Sequence, residues 1–186
     1  MVPLGALWLP VLLSAVLVFV TSSLIHMVLR YHASDYSPLS NEDAVRAAIR
    51  TGSPPPAQYI IPYAGSPKDF EQPEMKRKLA EGPLAVVNIR PAGQLGMGKS
   101  LGQWFVFTLV VSFFVAYIAS HAVQPGTDYL QVFRVVGAIG FLAYAAGQLP
   151  AAIWMGKPWS IAWKEVFDGL LYGRVTAGTF GWLWPR

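Results

Sequence analysis

Long apolar runs and one long polar stretch alternate along the chain. The first run, Leu4–Leu29, is about 26 residues, enough at about 1.5 Å per residue to cross a hydrocarbon core of about 30 Å. It begins Met1-Val2-Pro3 without charge and continues into Thr21-Ser22-Ser23, so it reads as a retained span rather than a cleaved signal peptide. Pro10 is expected to kink it. Further runs cover residues 103–121, 130–154 and 160–184, with Trp near their ends. The predicted fold is an all-α membrane protein: a four-helix transmembrane bundle with a small α+β extramembrane insertion between the first and second helices. The organisation expected is a first helix at 1–31, an extramembrane module at 32–100, and three further spans in 101–186.

Within the polar stretch, Ser40-Asn41-Glu42-Asp43 is a capping-box pattern ahead of an apolar-periodic segment, and Gly52 stands where that short helix would stop. Ser66-Pro67-Lys68-Asp69 repeats the start signal, and Pro73–Glu81 offers another short helix before Gly82-Pro83. Two β-prone runs, 58–63 and 84–89, are expected to pair, with Pro62 confining its strand to an edge.

Small residues mark where helices approach. Gly137, Gly140, Ala143, Gly147 and Ala151 line the third span, and Gly169, Gly173, Ala177 and Gly181 recur every four residues on the fourth. The spacing predicts a close antiparallel pair, and such glycine-rich faces also suit a protein partner or a second copy.

Composition and charge sharpen this picture. Charged residues are only 13% of the chain against 54% hydrophobic ones, which places it in the lipid bilayer. The net charge of +4 is small and sits in the loops, where topology explains it without a nucleic acid partner. Arg30, Lys99, Lys157 and Lys164 flank the span ends of the first and third connections, while the 123–130 turn has no Lys or Arg. That bias predicts a multi-pass protein of the plasma (inner) membrane with residues 32–100 cytoplasmic and both termini outside. The basic triplet Lys76-Arg77-Lys78 lies in a stretch with eight Lys/Arg against seven Asp/Glu over 32–100, so it reads as a solvated face. The absence of Cys removes thiolate chemistry.

The candidate chemistry is sparse. Residues 93–100, Gly-Gln-Leu-Gly-Met-Gly-Lys-Ser, fit a Walker A pattern, but the following helix is apolar enough to span and no parallel α/β domain is available, so nucleotide hydrolysis is rejected. Gly98, Lys99 and Ser100 remain a candidate lipid-phosphate contact. His26, His32 and His121 show no metal-ligand spacing on one helix, and His26 and His121 fall at opposite ends of their spans, excluding a shared haem; no cofactor or metal is expected. On the fourth span, Lys164, Glu165 and Asp168 share a broad face, with Arg174 further along. Charges at such depth must pair or meet water. With His26 and Gln148 at comparable depth they form a polar seam, read as a neutralised device that fixes helix register or as a proton or ion site.

The last hairpin, with Phe141-Leu142, the Gly156-Lys157-Pro158-Trp159 turn, the Asp168-Gly169 step and the closing Gly181-Trp182, resembles the end of small four-helix bacterial integral membrane proteins of unknown function. The resemblance covers about residues 100–184 and implies a fold, not an activity. With no nucleophile beside a base, the chain is expected to be a non-enzymatic accessory or scaffold subunit of a membrane complex; a small ion- or proton-coupled transporter or channel is the alternative.

Overall fold

The structure, a computed structural model, describes residues 1–93 and 96–186. Its helices are α1 (Trp8–Ser23), α2 (Glu42–Gly52), α3 (Pro73–Glu81), α4 (Met97–Ala122), α5 (Tyr129–Ala145), α6 (Leu149–Trp154) and α7 (Trp159–Trp182), with strands β1 (Gln58–Ile61) and β2 (Ala85–Asn88). The chain divides into two compact units, one formed by Met1–Asp35 with Gly96–Arg186 and the other by Tyr36–Leu95.

In the first unit three helical stretches, Leu4–Leu29, Met97–Ala122 and Tyr129–Trp154, are long and apolar enough to cross a membrane. The α7 helix, which carries Lys164, Glu165, Asp168 and Arg174, is not among them. It is nevertheless built into the unit: Gly169, Tyr172, Gly173, Thr176, Ala177 and Phe180 are all buried. The predicted close pair of the last two long helices is α5 against α7. A Cβ on Gly173 would stand 2.8 Å from the backbone nitrogen of Phe141, and one on Gly169 2.7 Å from the Cβ of Ala145. Only hydrogen fits there, so the backbones approach as small-residue packing allows. Gly169 and Gly173 are thus turned to α5 inside the chain, while Gly147 has open space around it.

The N-terminal span is joined to α4 by polar pegs: Ser14 Oγ donates to Ser112 Oγ at 3.0 Å, and Trp104 Nε1 donates to Ser22 Oγ at 2.7 Å. Pro10 falls in the first turn of α1, where a missing N–H leaves no bond unmade, and marks the change from a 3-10 turn at Leu4–Leu7 to α-helix. The expected continuous third span is interrupted. Ala146–Gln148 form a 3-10 turn and α6 starts anew, because Pro150 offers no N–H to the carbonyl four residues back. At the start of α5, Asp128 caps the helix by accepting from Leu130 N and Gln131 N at 3.0 and 3.1 Å.

The second unit contains the two predicted short helices and the predicted strand pairing. β1 and β2 run antiparallel with Tyr59 opposite Val87 and Ile60 opposite Val86. Ser66 and Asp69 form a capping box, but the turn they open is a 3-10 helix, Pro67–Glu71, ended by the Pro73 start of α3. On α3, Arg77 pairs with Glu81 and Lys78 with Glu74, four residues apart in each case. These pairs fit the solvated-face reading of the basic triplet. Among the described residues of this unit none is buried.

Candidate functional site

The site begins with a change of helix type. After Ser23 the first span continues as a π-helical segment, Leu24–Leu29, and then stops at Arg30, whose φ of +53° is left-handed. A π segment rotates the residues that follow relative to an α-helix, and both features recur where backbone is bent to serve a site. Here they bring His26 to the end of the span and turn the next segment, a 3-10 helix at Tyr31–Asp35, back against α7.

Lys164 holds that segment in place. Its ammonium donates to the Tyr31 carbonyl at 2.9 Å, Ser34 Oγ at 2.9 Å and Asp35 Oδ1 at 2.5 Å, which uses all three of its protons. The other Asp35 oxygen, Oδ2, accepts from His32 Nδ1 at 2.5 Å. Burial opposes the charge on Asp35, but the bonds from Lys164 and His32 outweigh it and hold the carboxyl below the usual carboxylate range. His32 therefore stands between two carboxylates, because its Nε2 lies 2.8 Å from Asp168 Oδ2.

Asp168 is the buried centre, its side chain only 5% exposed. His26 Nε2 is 4.0 Å from the same Oδ2, and the two imidazoles stack with centroids 4.6 Å apart and an 8° angle between planes. The His26 ring is oriented by its Nδ1, which donates to the Ser22 carbonyl at 3.0 Å. Ser22 is itself held by Trp104. One ligating atom each from His26, His32 and Asp168 lies within 4.8 Å of the others.

Beside this cluster is a partly open cavity of about 350 Å³ lined by His26, Trp104, Tyr144, Gln148, Glu165, Asp168 and Tyr172. Tyr144 Oη, Tyr172 Oη and Asp168 Oδ1 are buried yet have no hydrogen-bond partner among the described residues. Buried polar atoms rarely go unpartnered, so this corner of the unit carries three unmet hydrogen bonds beside the cavity.

The seam expected from sequence is regrouped. Lys164 and Asp168 do not pair: Lys164 turns to Asp35, and Asp168 to the histidines. Glu165 pairs with Lys157 from the preceding turn. Gln148 and Glu165 share the cavity with His26 and Asp168. Arg174 lies apart, exposed beside Leu17 and Thr21, with no ion pair among the described residues. No metal was expected from the histidine spacing along single helices; the fold brings together three groups that could hold an ion, from a span end, a turn and a distant helix, which that spacing does not reveal. His32 and Asp35 were assigned to the extramembrane module, yet they belong to the helical unit. Their three-residue spacing, beside a histidine six positions earlier, is the local signal that could have found them. Gly98, Lys99 and Ser100 lie in the first turn of α4 and are exposed, with Ser100 N bonded to the Gly96 carbonyl at 3.2 Å. Part of the Walker-like pattern, Gln94 and Leu95, lies outside the described residues.

Compared with protein-family models, with curated proteins and with solved structures, the chain finds no match in any of the three. The functional argument therefore rests on geometry.

Proposed function

We propose that this chain is a four-span, non-enzymatic membrane protein, an accessory or scaffold subunit whose Tyr36–Leu95 unit is offered to a protein partner. The observation that carries this reading is the composition of that unit's surface. It folds into two helices and a strand pair, yet buries none of its described residues and leaves Ile60, Ile61, Tyr63, Phe70 and Leu84 half exposed or more. A unit of this size ordinarily shields a core, so apolar side chains left in the open favour burial against something else. Pairing of three of the four α7 charges supports the spanning assignment of that helix, because Lys164, Glu165 and Asp168 each have a partner inside the unit, while Arg174 has no ion pair among the described residues.

The test uses the absence of native cysteine and of constraint at the unit's surface. Ser53→Cys should be labelled by an impermeant thiol reagent only after the cytoplasmic face is opened. A photo-crosslinking residue at Phe70 should yield one discrete adduct in native membranes, with none from the same probe at Ser53. Labelling of Ser53→Cys in intact cells would invert the orientation, and no adduct from Phe70 would remove the scaffold reading.

A second reading, a small ion- or proton-coupled transporter, is favoured by the cavity that Gln148, Glu165 and Asp168 share. It requires flux in reconstituted vesicles that Asp168→Asn abolishes while the protein stays folded.

A further inference from the structure

We propose that His26, His32 and Asp168 form a binding site for a divalent first-row transition metal, with Asp35 accepting from His32 Nδ1 to orient that ring and an open coordination position facing the cavity. The site stands whether the chain is a scaffold or a transporter.

The argument starts from charge. Asp168 is buried, and the cations near it in the chain are turned elsewhere: Lys164 to Asp35, Lys157 of the preceding turn to Glu165, and Arg174 to the side of the helix beside Leu17 and Thr21. The partners of its Oδ2 are two imidazoles, and its Oδ1 has none among the described residues. A buried carboxylate needs a compensating positive charge.

The histidines are arranged for a cation to supply it. A carbonyl oxygen only accepts, so the bond to Ser22 places a proton on His26 Nδ1 and leaves Nε2, which faces Asp168, to carry either a second proton or a metal. A lone pair facing a carboxylate at 4.0 Å is unfavourable unless a positive centre lies between them. His32 has the same design. Its Nδ1 donates to Asp35, which Lys164 already neutralises, and its Nε2 faces Asp168 Oδ2 at 2.8 Å, a place that a proton fills or a metal can take. A metal-bound histidine whose other nitrogen donates to a carboxylate or a carbonyl is the usual second-shell pattern, and both imidazoles show it.

Distances and ligand type then narrow the ion. Metal bonds of about 2.0–2.2 Å place neighbouring ligand atoms about 3 to 3.5 Å apart. The observed 2.8 Å and 4.0 Å to Asp168 Oδ2 bracket that range, and because the two rings stack in nearly parallel planes, binding requires the His26 ring to turn until its Nε2 converges with that of His32 on one point. His26 has the freedom to do so, with its side chain 51% exposed. Two imidazoles and one carboxylate without thiolate suit zinc or ferrous iron better than calcium or magnesium, which favour oxygen ligands. Three protein ligands leave a position free, and because His26 and Asp168 line the cavity, that position opens toward it.

The test uses the full chain, purified in detergent without a histidine tag and stripped with chelator. Titrated with Zn²⁺ in a calorimeter, it should bind one ion per chain, and Co²⁺ should give the visible absorption of a low-coordinate nitrogen and oxygen site. His32→Gln and His26→Gln should each weaken Zn²⁺ binding by at least about tenfold, and Asp35→Asn, which leaves all three ligands, by about 10- to 100-fold. His121→Gln should bind as the parent does. Because His26 is half exposed, its variant should fold even if changes at Asp168 do not. Wild-type protein that binds no Zn²⁺, as a corner neutralised by protons alone would, overturns the proposal. So does binding that survives in both His26→Gln and His32→Gln.

Discussion

The two halves of α7 are held by opposite kinds of packing. From Gly169 to Gly181 the helix lies against α5 along a face of small residues, with Gly173 meeting the Phe141 backbone and Gly181 the Tyr129 ring. Over Lys164 and Asp168 it is held by polar side chains reaching a turn more than a hundred residues earlier, and Glu165 pairs with Lys157 just before the helix. The first half gains its stability from shape, where any added atom is an obstacle. The second gains it from charge and hydrogen bonding, where removing an atom leaves another unpaired. One helix thus carries a rigid support and a polar corner, and the support fixes where the corner stands.

The largest effect should come from filling the close contact. Gly173→Leu places a branched side chain where even a Cβ comes 2.8 Å from backbone, and backbone cannot swing aside. We expect a loss on the order of 3 kcal/mol in detergent unfolding, at the upper end of overpacking costs. Gly147→Ala, with nothing within 4 Å of its Cβ, should change little. Equal responses from the two glycines would break the shape half of the comparison.

Breaking the polar corner should cost less. Asp168→Ala removes the partner of His32 but strands no lysine, because Lys164 is bound to Asp35. The expected loss is about 2 kcal/mol, within the range for unpairing a buried polar group, and Asp168→Asn should lose less because it keeps shape and one acceptor. A loss for Asp168→Ala as large as that for Gly173→Leu would mean that the corner, not the glycine face, supports the helix.

The smallest effect is one of pH. The Asp35 carboxyl is held below its usual range, so in acid the unfolded chain takes up this proton before the folded one does. Its contribution is fully present above the ordinary aspartate pKa of about 3.9 and is lost as pH falls through the lower folded value. Stability measured from pH 6 to pH 2 should therefore fall more steeply in the parent than in Asp35→Asn. Parallel curves would show that the Lys164 and His32 bonds do not favour the ionised form.

Much of the scaffold was legible because its signals are local. The Pro73–Glu81 helix follows from a proline at its start and Gly-Pro after its end, and the strand pair from two β-prone runs. The four-residue glycine repeat identified the face that α7 turns to α5. The site was legible only by half. Asp168, His26, Gln148 and Glu165 stood out as polar groups at similar depth in apolar helices, but His32 and Asp35 sit in a polar stretch where such residues are ordinary. The interruption at Ala146–Gln148 was likewise hidden, because an apolar run looks continuous until the missing N–H of Pro150 is counted.

By itself the sequence determined which segments are apolar enough to leave water, which turns stop them, and which faces are smooth enough to meet, since each depends on residues within a few positions of one another. Tertiary structure alone decided the partners of the charges. Lys164 could satisfy its protons on Asp168 one turn away or on Asp35 129 positions distant, and a helix spacing cannot choose between them. The choice was made by the π turn and the left-handed Arg30, which bring a 3-10 segment under α7 and place two imidazoles over one buried carboxylate.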